Sequence, residues 1–100
     1  MCTAADDASA QAIARVLVEE RLAACVSLAP VRSTYRWKEA VVNENEVLLV
    51  IKTAASLWPR VQQRILELHS YECPEIVALT AAEVDANYMT WLLAACGGVV

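Results

Sequence analysis

The chain has one imidazole, His69, and four thiols, Cys2, Cys25, Cys73 and Cys96. No CxxC pair occurs, and the cysteines and histidine do not group at the spacing of a structural zinc site. With no secretory signal at Met1–Ala4, free thiols point to a reducing compartment and a cytoplasmic protein. Cys25, flanked by Ala24 and Val26, reads as a small buried hydrophobe. Glu19 with Glu20, and Glu44 with Glu46, have the makings of acid–base carboxylate pairs, although solvated faces explain both. No nucleophile–base pair and no phosphate loop is present, so the residues do not point to an enzyme.

Composition sets the frame that must hold these groups. One hundred residues make one domain, and 58% of them are hydrophobic, against roughly 45–50% in ordinary globular chains. A sphere this small cannot hide such a surplus alone, which points to a subunit interface. The net charge of −4 argues against nucleic-acid binding, where Lys and Arg neutralise phosphates. No apolar run approaches the length of a membrane span.

Periodicity then orders the elements. Asp6, Asp7 or Ser9 can cap a first helix over residues 8–23, with Ile13, Val16, Leu17 and Ala24 on its apolar face. From Cys25 the period becomes two. The apolar phase moves from Val26 and Leu28 to Val31, Ser33, Tyr35 and Trp37 across Pro30, which predicts a β-bulge there. The run Val47-Leu48-Leu49-Val50-Ile51 reads as a strand buried on both faces. The turn between these strands falls at residues 38–40 or 43–45. Ser56 is the expected cap of a second helix carrying Pro59 in its first turn, with His69 at its end. Residues 75–79 read as a short strand, and Asp85 caps a last helix that Gly97 ends. With residues 1–4 as a short first strand, the expected fold is α+β: a ferredoxin-like split βαβ (βαββαβ) with a C-terminal helix and a long bulged hairpin. The domain is expected over residues 1–96, with 97–100 as a tail.

Several stretches resemble the CutA family of divalent-cation tolerance proteins. Leu17-Val18-Glu19-Glu20-Arg21-Leu22-Ala23-Ala24-Cys25-Val26 is similar to its first helix and second strand. Pro30 with Ser33-Thr34-Tyr35-Arg36-Trp37 resembles its long bulged strand, and Glu46-Val47-Leu48-Leu49-Val50-Ile51-Lys52-Thr53 its third. His69-Ser70-Tyr71-Glu72-Cys73-Pro74-Glu75-Ile76 resembles a His-Pro-Tyr-Glu-x-Pro-Glu-Ile signature, with Ser70 in place of Pro. Tyr88-Met89-Thr90-Trp91-Leu92 resembles the closing helix. Glu39-Ala40 stands where the family's tight turn carries Gly, so the turn type departs from the pattern.

The resemblance implies a homotrimer whose long strands pair between subunits, and a role in tolerance of copper or another divalent cation without an organic cofactor. It ties Cys2 to copper. Imidazole suits Cu(II) and thiolate Cu(I), so His69 and Cys2 are the candidate metal ligands, with Glu72 or Glu75 as an oxygen donor. Arg36, Trp37, Lys52, Tyr71, Glu75, Tyr88 and Trp91 are the residues expected around an inter-subunit cleft, where cations and rings together suit a small anion. A trimeric sensor of the PII type is thus the alternative reading, and a scaffold for a protein partner a third.

Overall fold

The computed structural model describes residues 1–97; the rest of the expected tail, 98–100, lies outside the described residues. The element order is β1 (Cys2–Ala4), α1 (Asp7–Glu19), β2 (Cys25–Trp37), β3 (Ala40–Lys52), a 3-10 turn (Ala55–Leu57), α2 (Trp58–Leu68) and α3 (Ala86–Ala95). The fold is α+β, with an antiparallel sheet in the order β1-β3-β2.

Helix α1 begins at Asp6, whose carboxylate accepts the Ser9 amide at 2.8 Å and the Ser9 hydroxyl at 2.6 Å. It stops four residues before the periodicity does. Leu22 N–H reaches back to the Leu17 carbonyl and Arg21 N–H to that of Val18, a Schellman closure with Arg21 left-handed at φ 59°. The early stop turns Leu22 and Ala23 under the helix, where both are buried. The core lies between α1, α2 and one face of the sheet. Ile13, Leu17, Leu49, Val61 and Ile65 fill it together with Cys2.

Strands β2 and β3 pair without interruption, from Cys25 opposite Lys52 to Trp37 opposite Ala40. The bulge expected at Pro30 is absent. The burial phase still shifts there, because a different face becomes covered. Near the root, Val26 and Leu28 pack against the core, whereas further out Val31 and Ser33 are the half-buried residues, on the opposite face. That outer stretch of the sheet is overlaid by residues 69–75, tied to Thr3 and Glu46 by His69 and Tyr71. Pro30 costs no ladder bond where it sits, since β2 is an edge strand.

The turn is Lys38-Glu39, with φ of 48° and 70°. Two positive φ values match the twist of a two-residue hairpin, at a steric cost normally avoided by Gly or Asn. The continuous apolar run in β3 is not buried on both faces. Leu49 is fully buried, but Val50 on the reverse side is 41% exposed, since the helices cover one face only.

Two further expectations are corrected. Ser56 does not cap α2; it lies in the 3-10 turn that leads into the helix, and Leu57 takes the cap position with no side-chain bond. Residues 75–79 form no strand: contact with β1 is a single bridge, Cys2 opposite Ile76, extended by Val77 N–H to the Met1 carbonyl at 3.0 Å. A three-residue β1 offers nothing longer to pair with. Helix α3 starts as expected on Asp85, which accepts the Tyr88 amide at 3.2 Å, and ends at Gly97 with φ 87°.

Candidate functional site

The reverse face of the outer hairpin and the segment 69–75 enclose a cleft of about 780 Å³. Period-two spacing places Ser33, Tyr35 and Trp37 of β2 and Glu44 and Glu46 of β3 along one wall, while Tyr71, Glu72, Cys73 and Glu75 form the other. Four carboxyl groups line the cleft, and no Lys or Arg does. Lys38 touches its rim, 3.7 Å from Glu72, with both side chains exposed.

Glu46 is the one buried charged residue among those described, at 7% exposure. Tyr71 donates its hydroxyl to Glu46 Oε2 at 2.7 Å. Burial first, and the bond to Glu46 second, push the Tyr71 hydroxyl far above the usual tyrosine range, so it stays a proton donor. Tyr35, beside Glu44, is pushed upward as well, with desolvation the larger cause.

His69 sits at the C-terminal cap of α2, beside the cleft rather than in it. Its Nδ1 accepts the Tyr71 amide at 3.1 Å, so the ring proton belongs on Nε2, which donates to the Thr3 carbonyl at 2.6 Å. The ring also packs against Tyr71, with centroids 4.6 Å apart. Cys2 directs its thiol to the same Thr3 carbonyl at 3.6 Å. It is wholly buried, and desolvation raises the thiol to about 11. Residues far apart in sequence thus meet at one backbone oxygen, with both imidazole nitrogens hydrogen-bonded and the thiol protonated. Among the described residues no group of three or more His, Cys, Asp or Glu is placed to hold a metal ion. The donor set of this single chain does not fit a resident metal centre.

Of the residues expected around an inter-subunit cleft, Trp37, Tyr71 and Glu75 line this cleft within one chain, together with Glu72 from the candidate metal set. Lys52 does not. It stands across the strand pair from Cys25, its ammonium bonded to the Ser27 hydroxyl and 3.9 Å from Cys25 Sγ. Arg36 is exposed outside the cleft lining. Tyr88 and Trp91 stack at 5.5 Å on the open surface of α3. Glu44 and Glu46, read from sequence as a solvated pair, are instead walls of the cleft. The i, i+2 spacing on one strand was the available signal, while the burial of Glu46 depends on Tyr71, which no spacing connects to it.

A three-stranded antiparallel sheet with three helices, and a carboxyl-lined cleft on its open face, defines a small α+β protein. Comparison with known proteins is more specific. Residues 1–95 match the family described as CutA1 divalent ion tolerance protein. The divalent-cation tolerance protein CutA of Thermus thermophilus is 45% identical over 93 residues, covering 92% of this chain and 90% of that protein. The solved structure of the T. thermophilus protein superposes with a TM-score of 0.88, at 46% identity over 91% of this chain and 89% of the other. The Archaeoglobus fulgidus CutA, described as a periplasmic divalent cation tolerance protein, superposes at 0.93 with 27% identity, covering 95% and 93%. Human protein CutA is 40% identical over 91 residues, 90% of this chain but 51% of its own length. This chain belongs to the CutA1 divalent ion tolerance family.

Proposed function

We propose that the chain acts as a non-enzymatic homotrimer that contributes to divalent-cation tolerance by holding cations loosely in its carboxyl-lined cleft. The observation that carries this reading is the cleft's charge: acidic residues on both walls and no cationic residue lining it. Such a cleft attracts cations over several ångströms without replacing their hydration shells, which suits weak and transient binding. The small-anion alternative concerns a cleft between subunits, and Arg36 and Lys52 lie outside this one. Support for the trimer comes from the open surface. Leu79 and Val41 are 77% and 67% exposed, β2 has one edge unpaired, and β1 covers only Val47–Leu49 of the outer edge of β3. Among the described residues no helix is long and apolar enough to cross a membrane. Four free thiols support a cytoplasmic setting.

The test is native mass spectrometry during a Cu(II) titration of the wild type, His69→Ala and the double variant Glu44→Gln/Glu75→Gln. Trimers with weak, graded uptake, reduced in the carboxyl variant and little changed in His69→Ala, are expected. Tight uptake of one copper per subunit that disappears with His69→Ala would overturn the loose-binding account. No specific uptake at all would leave the scaffold reading as the better one.

A further inference from the structure

Residues 69–75 have no regular secondary structure, yet they form one whole wall of the cleft. The segment is fixed at both ends. At one end His69 N–H closes α2 on the Ile65 carbonyl at 2.8 Å, and the imidazole spans Thr3 and the Tyr71 amide. At the other, Ile76 bridges Cys2 and Val77 bonds Met1. Between these anchors, no backbone–backbone hydrogen bond joins residues 70–75 to the sheet. Two side-chain contacts reach across from the middle. Glu72 to Lys38 is a long, fully solvated ion pair of little energetic weight. Tyr71 to Glu46 is short, and it closes over the one buried carboxyl group.

From this we propose that residues 70–75 are a strap that opens and closes over the cleft, with His69 as its fixed hinge and the Tyr71–Glu46 hydrogen bond as its latch. When the latch is made, one oxygen of Glu46 is taken by the phenol. When it breaks, the strap swings on its two anchors, and the Glu46 carboxyl group becomes free to meet whatever enters. Breaking it costs one hydrogen bond and loosens the packing of the Tyr71 ring on His69, which places opening within the reach of local fluctuation, far below global unfolding. The latch belongs to the fold and operates whether the cleft takes a cation, an anion or nothing, so its test uses no ligand.

The experiment is hydrogen exchange of the intact assembled protein, comparing the wild type, Tyr71→Phe and Glu46→Gln. Carbodiimide footprinting of Glu46 with glycine ethyl ester is run beside it on the wild type and Tyr71→Phe. Tyr71→Phe removes only the hydroxyl. The Tyr71 amide, the strap amide bonded to His69 Nδ1, is expected to exchange about tenfold faster, the equivalent of one lost hydrogen bond, while α1 and β3 keep their protection. Glu46 is expected to label severalfold faster, relative to the exposed Glu67 in the same sample. Glu46→Gln keeps an acceptor for the phenol, so its strap should exchange close to the wild-type rate. Strap exchange within twofold of wild type in Tyr71→Phe would overturn the latch, as would a rise spread evenly over the chain. A Glu46 that labels no faster in Tyr71→Phe would also overturn it, because opening would then not bare the carboxyl group.

Discussion

Helices α2 and α3 are nearly equal in length, and both carry large apolar residues, but only one is finished within the chain. In α2 Val61 and Ile65 are buried, and Arg64 reaches over to hold Glu20, the C-cap of α1, at 2.9 Å. Its outer side is mostly polar, with Gln62, Gln63 and Glu67, although Leu66 stands exposed among them. In α3 Leu92 alone is buried, while Tyr88, Met89 and Trp91 stand open, Trp91 at 49% exposure. A helix apolar on every side is stable only when something covers every side. The contrast extends to the sheet: the root of the hairpin is backed by the core, while Val41 near the tip is bare and Val50 is exposed on the uncovered face. The molecule therefore divides into a body that covers itself and an apolar rim left open, where the proposed trimer would assemble.

Substitutions in the two helices should separate these halves. Ile65→Ala removes a fully buried side chain and is expected to cost about 2–5 kcal/mol. That loss would appear in urea unfolding whatever the protein concentration. Trp91→Ala should behave differently, costing about 2 kcal/mol as a loss of association. Its apparent Tm would fall as the protein is diluted, and fall less at high concentration. If Trp91→Ala were as independent of concentration as Ile65→Ala, the division between body and rim would fail.

The body has a second signature, in pH. The Cys2 thiol is raised from 9.0 to about 11 by its burial on the core face of the sheet. A raised folded value means that the buried, protonated thiol stabilises the fold fully below pH 9, and that this contribution is lost as pH climbs through about 11. The wild type should lose roughly 2 kcal/mol across that window, and Cys2→Ala should lose less. Urea midpoints measured from pH 8 to 11 decide it. A parallel decline in both proteins would remove Cys2 from the account.

Two smaller effects sharpen the comparison. Glu39 holds φ 70° at the hairpin tip, so Glu39→Gly relieves strain and should raise stability by about 0.5–1 kcal/mol, net of the added chain entropy. A destabilised Glu39→Gly would mean that the turn is not the one described. The bond from Arg64 holds the Glu20 carboxyl below its usual range. That pair stabilises above the ordinary carboxylate pKa and is lost as pH falls through the depressed one. Because both groups are solvated, the effect should be barely visible, and Glu20→Gln should alter acid unfolding only slightly.

Much of the fold was legible in sequence because local chemistry dictated it. The Asp6 and Asp85 caps, the helical stripe of α1, Gly97 and the over-long strands each announced themselves within a few residues. The errors arose where a local signal had a distant cause. The phase shift at Pro30 looked like an inserted residue, but it reports residues 69–75 folding over the outer sheet. Residues 75–79 looked like a strand, but their partner ends after three residues. The single-chain cleft was partly legible: Trp37, Tyr71, Glu72 and Glu75, expected between subunits or on a metal, line it, and Lys52 and Arg36 lie outside it. Glu46 was visible as a carboxylate but not as a buried one, since its cover comes from Tyr71, 25 residues away.

Sedimentation equilibrium across the micromolar range, on the wild type and Trp91→Glu, tests the unfinished rim most directly. The account predicts a wild-type homotrimer, with Trp91→Glu shifted toward a folded monomer that keeps wild-type protection in α1 and α2. A wild type that sediments as a monomer throughout would contradict it, because the open surface of α3 would then need no partner.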